Sequence, residues 1–170
     1  MEFTIRRCHG GDKRALSLLG AASFLETYAG NAEATDILAH VDAEHSTEKY
    51  GHWLASDFAH IWVVETAVGR SPIGYAVALT SQDAGSSTEM EIRRLYLLYR
   101  FHRKGLGQRL MDEILAAARQ SRVAALFLKA YEPSQNSVGF YLRNGFRVVG
   151  EEPFRAGERD YQVLVMRLVL

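Results

Sequence analysis

Leu95-Tyr96-Leu97-Leu98-Tyr99-Arg100-Phe101-His102-Arg103-Lys104-Gly105-Leu106-Gly107-Gln108-Arg109-Leu110 is the stretch that decides the reading of this chain. It runs from the end of an apolar strand through a basic loop with two glycines into the start of a helix. Gly105 and Gly107 let backbone N–H groups turn toward one point, and the helix N-terminus adds partial positive charge there. Arg103, Lys104 and Arg109 add full charges. That chemistry suits a pyrophosphate or a similar polyanion. The loop is not a Walker loop, because no Gly-Lys-Ser/Thr is present. It is not a dinucleotide-binding fingerprint either, because Leu110 stands where the third glycine belongs.

Downstream, residues 105–121 read as a helix with Leu106, Leu110, Ile114, Leu115 and Ala118 on one face, and Val123 to Ala130 as a buried strand. Asn136 then opens a short helix over 134–143, Tyr141 follows five residues later, and Gly145-Phe146 leads into another strand. Upstream, a strand over Phe3–Arg7 is followed by a turn and helix cap at Gly10-Gly11-Asp12. A helix runs to about Tyr28, breaks at Gly30-Asn31, and a second runs from Ala32 to about Glu44. A third short helix starts after Ser46-Thr47. Ile61 to Val68 and Ile73 to Leu79 form a hairpin, residues 82–87 a polar loop, and Glu89 to Leu98 a long strand. Residues 146–150 and 160–170 are the closing strands. The expectation is one α/β domain over 1–170, with a mixed sheet of about seven strands and flanking helices. The strand–helix–strand from Glu89 to Ala130 supplies a parallel crossover.

At 170 residues and 48% apolar, the chain can bury a core without staples. Twenty basic residues balance twenty acidic ones, which argues against a non-specific nucleic-acid binder. The balance is not local: residues 15–90 carry net −8 and residues 91–170 net +6, which suits one cationic and one anionic ligand, with two solvated faces as the plain alternative. Cys8, the single cysteine, excludes an internal disulfide and reads as a core residue. His40, His45, His52 and His60 lack a metal-site spacing, so no metal is expected. The opening MEFTIRRCHGGDKR shows no signal peptide and no apolar run reaches membrane-spanning length, so a cytoplasmic protein that does not meet the membrane is expected. Trp53, Trp62 and Tyr75 read as core. Strand edges near Val163 to Leu168 suggest a homodimer.

The two constellations together resemble the signature of the GCN5-related N-acetyltransferase (GNAT) superfamily. The family's loop, Gln/Arg-x-x-Gly-x-Gly/Ala, corresponds here to His102-Arg103-Lys104-Gly105-Leu106-Gly107, with His102 departing from the usual residue. The second family motif, Asn-Ala-x-x-Phe-Tyr followed by Gly-Phe, corresponds to Asn136-Ser137-Val138-Gly139-Phe140-Tyr141 and Gly145-Phe146. A looser likeness to PaiA-type bacterial polyamine N-acetyltransferases rests on Phe24 to Gly30, Glu91 to Leu97 and the ending from Glu151 to Leu168.

The resemblance implies acetyl-CoA as cofactor and acetyl transfer to a primary amine of a small molecule, a polyamine such as spermidine or spermine in the narrower case. It implies that backbone groups of Leu95, Tyr96 and Leu97 pair with the pantetheine arm, that Arg103 to Gln108 hold the pyrophosphate, and that Asn136 contacts the cofactor. It places Tyr141 by the thioester sulfur as the acid for the leaving thiolate. An alkyl ammonium, with a pKa of about 10, must lose a proton before it attacks. Glu91, fourteen residues before Gly105, is the expected base. Strand alternation sets it on one face with Arg93, Leu95 and Leu97, and an ion pair with Arg93 is the plain structural alternative. A backbone N–H near Leu97 is the expected oxyanion donor. Glu26, Tyr28 and Glu33, with Asp36, flank the helix break and are the expected acceptor contacts; solvated helix ends are the alternative. Competing functions are acetylation of a protein N-terminus or lysine, a non-catalytic acyl-CoA sensor, and an anion-binding regulatory domain.

Overall fold

The computed structural model describes residues 2–80, 89–131, 135–156 and 159–170. The expected polar loop at 82–87 therefore lies outside the described residues. In chain order the elements are β1 (Phe3–Arg7), α1 (Lys13–Tyr28), α2 (Ala34–Glu44), α3 (Thr47–Leu54), β2 (Ala59–Thr66), β3 (Pro72–Thr80), β4 (Glu89–Leu97), α4 (Leu106–Gln120), β5 (Ala125–Tyr131), α5 (Gln135–Arg143), β6 (Arg147–Ala156) and β7 (Arg159–Val169). Short 3-10 turns occupy Gly10–Asp12 and Tyr99–Phe101. The order matches the α/β expectation. The closing strands are longer than expected because β6 and β7 pair out to Ala156 and Arg159.

The sheet has seven strands in the order β1-β2-β3-β4-β5-β7-β6. β4 and β5 are parallel and every other neighbouring pair is antiparallel. The edge expected at 163–168 is not an edge. β7 returns between β5 and β6 and is paired on both sides, so the open edges belong to β1 and β6.

Both faces of the sheet are covered, which is why β2 and β3 read as continuous apolar runs. Trp62, Val64, Ala76, Ala78, Met90 and Ile92 pack under α4, against Leu106, Leu110 and Ile114. Ile61, Val63, Tyr75 and Val77 pack on the other side, against Leu16 and Leu19 of α1 and Tyr50 and Trp53 of α3. Trp53, Trp62 and Tyr75 are core residues, as expected. Cys8 packs against the second cluster, and burial pushes its thiol up to about 12. Ser46 caps α3 by accepting the Lys49 N–H at 3.2 Å. Asp12 does not cap α1. Its carboxylate accepts the Arg6 guanidinium at 2.8 and 2.9 Å and the His9 N–H at 2.8 Å, which ties β1 to the first turn.

Candidate active site

The site is built where two parallel strands part. β4 and β5 pair only over Glu89–Glu91 and Ala125–Phe127. Beyond Glu91, β4 stays with β3 out to Leu97, while β5 follows β7. The wedge between them is a cleft of about 500 Å³. The Leu98 N–H donates to the Ile73 carbonyl at 2.9 Å, on the β3 side. Strand alternation then turns the amides of Leu97 and Leu95 to the opened edge, and that of Tyr96 toward Tyr75 of β3. An extended amide-bearing ligand can add to that edge as a strand does.

The glycine loop closes one end of the wedge. Gly105 sits at φ 74, the left-handed region, and forms the N-cap of α4 with no side-chain cap. The first helical bond runs from the Arg109 N–H to the Gly105 carbonyl at 3.1 Å, so the N–H groups of Leu106, Gly107 and Gln108 precede the ladder. Arg103 and Lys104 are exposed beside them. Uncapped amides, a helix dipole and two cations fit a pyrophosphate. Only the backbones of Leu106 and Gln108 serve this end. The Leu106 side chain is core, and the Gln108 amide donates to Asp112 at 3.0 Å and Asn144 at 2.9 Å. His102 Nε2 donates to the Leu97 carbonyl at 2.8 Å, so this ring braces the strand-to-loop turn.

Asn136, Ser137 and Tyr141, from α5, line the cleft opposite Leu95 and Leu97. Tyr141 packs its ring against Phe140 and Phe146, with centroids at 5.3 and 5.7 Å. Burial, and secondarily Tyr96, push its phenol above the ordinary range, so it holds its proton at neutral pH.

Glu91 shares a face with Arg93, as expected, but not with Leu95 and Leu97. β3 and β4 change register between Val77 and Ala78, whose partners are Arg94 and Ile92, so Arg93 is an extra residue in β4. The bulge reverses the alternation. Met90 and Ile92 share the α4 face with Leu95 and Leu97, whereas Glu91, Arg93, Arg94 and Tyr96 face α1 and α2. There Glu91 lines a second cavity of about 260 Å³ that continues from the cleft through Tyr28, Arg93, Arg94, Tyr96, Lys129 and Tyr131. Its carboxylate also accepts Arg93 Nη1 at 3.0 Å, so the ion pair and the cavity position coexist.

The expected acceptor residues divide. Tyr28 lines both cavities, its ring 4.9 Å from that of Tyr131, and burial raises its phenol. Glu26 lines the cleft, but its carboxylate accepts the Tyr99 N–H at 3.0 Å. Glu33 does not line the cleft: it pairs with Arg159 at 3.1 Å on the surface. Asp36 accepts the Tyr161 hydroxyl at 3.1 Å. Both acids fasten α2 to the β6–β7 hairpin, which lies beside it only after folding.

Sequence reasoning missed Glu44, Arg94 and Lys129, and named Arg93 only as the ion-pair partner of Glu91. Arg94 is buried, stacks 5.3 Å from the Trp53 ring centroid, and donates to the Glu44 carbonyl at 2.9 Å and carboxylate at 3.2 Å. Burial alone would raise the Glu44 carboxyl. The hydrogen bond and charge of Lys49, with Arg94 and Arg93, hold it below its ordinary value instead. The adjacent arginines were the available signal, since regular alternation would put them on opposite faces of the sheet, and only a bulge sets both on one.

The family model described as Acetyltransferase (GNAT) family matches residues 20–146. An uncharacterized N-acetyltransferase of Mycobacterium bovis is 31% identical over 136 residues, spanning 78% of this chain and 83% of that protein. Among solved structures, the PaiA N-acetyltransferase of Thermoplasma acidophilum in complex with coenzyme A superposes with a TM-score of 0.82 at 20% identity, over all of both chains. The ribosomal-protein-alanine N-acetyltransferase of Brucella melitensis superposes with a TM-score of 0.73 at 18% identity, over 98% of this chain and 99% of that one.

Proposed function

The chain belongs to the acetyltransferase (GNAT) family and is an N-acetyltransferase with acetyl-CoA as its cosubstrate; from that premise we propose that it acetylates the primary amine of a small molecule held between α1, α2 and the splayed strands. The observation that carries this reading is the juxtaposition of the opened β4 edge, Tyr141 and a closed-in acceptor cavity that shares its wall with the cleft.

Acetyl-CoA, when bound, supplies an activated acetyl group on a thiol leaving group. The amides of Leu95 and Leu97 hold the pantetheine arm along the strand edge, and the α4 N-terminus with Arg103 and Lys104 holds the pyrophosphate. Of the two opened amides Leu97 lies nearer the glycine loop and Leu95 nearer Glu91, so the Leu95 N–H, rather than the expected one near Leu97, donates to the acyl oxygen as charge develops on it. Tyr141 gives its proton to the departing sulfur. Glu91 takes the proton from the amine, directly or through a water, and Arg93 orients its carboxylate. Glu44 is the weaker base, because three cations hold it ionised.

Glu26, Glu33 and Asp36 are the expected contacts for a polycationic acceptor. All three are engaged with Tyr99, Arg159 and Tyr161, so the choice of acceptor falls to the cavity itself. The test is CoA thiol release from acetyl-CoA with spermidine, spermine, putrescine, amino acids and lysine peptides. Turnover of a small amine supports the reading. Tight acetyl-CoA binding with no thiol release from any amine overturns it in favour of a sensor.

A further inference from the structure

We infer that the acceptor carries a carboxylate one or two carbons from its amine, bound by Arg93 and Lys129, and an apolar or aromatic side chain received by the wall of Phe24, Tyr28, Tyr131 and Phe154. This deepens the acetyltransferase reading and rests on it.

The charge of the acceptor cavity is the first reason. Among its described lining residues are three cations, Arg93, Arg94 and Lys129, and two carboxylates, Glu44 and Glu91. Both carboxylates are already ion-paired, so the cavity offers no surplus negative charge to a polycation. Glu44 is shared by Lys49, Arg93 and Arg94, and Glu91 is held by Arg93. Arg94 is 6% exposed, pairs with Glu44 and stacks on Trp53, and its Nε has no hydrogen-bond partner among the described residues, so a buried cation forms the floor of the cavity. A polycation would meet like charge here, whereas an anion meets its complement.

The second reason is that spare donors stand at the correct place. Arg93 gives Nη1 to Glu91 and holds Nη2 3.6 Å from Glu44, beyond a good hydrogen bond, so most of its five N–H donors remain. Lys129 pairs with Glu152 and keeps further donors. Their side chains are 36% and 41% exposed, open enough to meet a ligand. Arg93 comes from β4 and Lys129 from β5, and both line the cofactor cleft as well as the acceptor cavity. A carboxylate between them lies at the junction of the two spaces. An amine within two carbons of it then reaches the thioester end of the cleft, next to Glu91.

The third reason is the remaining wall. Phe24, Tyr28, Tyr131 and Phe154 enclose about 260 Å³, space for an amino acid with an apolar side chain.

The experiment compares three pairs that differ only in the carboxylate: phenylalanine with phenethylamine, leucine with isoamylamine, and methionine with 3-methylthiopropylamine, with spermidine as the polycation. Binding to the CoA-loaded chain is measured by calorimetry, and thiol release from acetyl-CoA in parallel. A carboxylate preference of about tenfold or more is expected in both, as charge-assisted hydrogen bonds give. Arg93→Gln and Lys129→Gln each bring the ratio within a pair toward one, whereas a merely structural defect lowers both members alike. Lys129→Gln, at an exposed position, guards against a folding defect in the other variant. Equal or better binding of the decarboxylated partner or of spermidine overturns the inference, as does a ratio unmoved by both substitutions, or binding by none of them. Arg93-dependent binding of the amino acid without thiol release leaves the inference standing and removes the transfer reading. Turnover of spermidine alone does the opposite.

Discussion

The carboxylate of Glu26, in the last turns of α1, accepts the backbone N–H of Tyr99 at 3.0 Å, a bond across 73 positions of sequence. It joins the helix that walls the acceptor cavity to the turn that carries the glycine loop. Tyr99 opens the 3-10 turn, and His102 at its end donates to the Leu97 carbonyl at 2.8 Å. Loss of the Glu26 carboxylate therefore loosens the end of β4 before it affects any acceptor. Glu26→Ala is expected to raise the KM for acetyl-CoA about fivefold, from roughly 1 kcal/mol of lost hydrogen bonding, and Glu26→Gln less, since it keeps an acceptor oxygen. Steady-state kinetics with varied acetyl-CoA check this. An unchanged acetyl-CoA KM with a raised acceptor KM would instead make Glu26 an acceptor contact.

Tyr141→Phe removes one oxygen and leaves the ring between Phe140 and Phe146. If the phenol protonates the leaving sulfur, kcat falls about a hundredfold or more, while the Kd for acetyl-CoA changes less than about twofold. Single-turnover kinetics beside calorimetry separate the two. A parallel loss of cofactor affinity would assign Tyr141 to binding.

Gly74 faces the opened end of β4. A Cβ there would lie 2.8 Å from the Tyr96 carbonyl oxygen and inside the Leu97 side chain. The leucine can turn, but the carbonyl belongs to the ladder and cannot. Gly74→Ala is expected to cost about 2 kcal/mol of stability and to weaken acetyl-CoA binding by displacing Leu97. Gly150→Ala, with nothing within 4 Å of its Cβ, is the matched control. Chemical denaturation of both variants decides: equal losses would remove the close approach as the cause.

The legible parts of this site are those made by local backbone chemistry. Gly105, the free amides after it and the Asn136–Tyr141 spacing could be read because a loop, a helix start and one helical turn hold them together. Glu91 was grouped with Leu95 and Leu97 because alternation is counted along one strand, and the extra residue at Arg93 exists only in the register with β3. Glu33 and Asp36 looked free because Arg159 and Tyr161 reach them from the far end of the chain. The cationic floor escaped notice for the same reason, since Glu44 meets Arg94 across fifty positions. The supposed edge at β7 failed because strand order within the sheet is not sequence order.

His40 makes the fold acid-sensitive. Its ring stacks on Phe24 with centroids 4.0 Å apart and meets Phe154 edge-on at 5.4 Å. Burial, helped by Arg94, Arg93 and Lys49 and opposed by Glu44, lowers its pKa from 6.5 to about 4. His45, 5.6 Å away, is lowered to about 2, by burial first and then by Arg94, His40 and Lys49. Below pH 6.5 the unfolded chain takes up protons that the folded chain still refuses. The stability linked to His40 is thus fully present above pH 6.5 and is lost as pH falls toward 4, by up to about 1.4 kcal/mol per pH unit. His45 adds a similar slope over the same window. His40→Phe keeps the stack and removes one titrating group, so the slope of unfolding free energy between pH 6 and 4.5 is expected to fall by about 1.4 kcal/mol per unit. Urea titrations at several pH values measure it. An unchanged slope would mean that His40 protonates without unfolding the chain, as it would if it reached water through the acceptor cavity it lines.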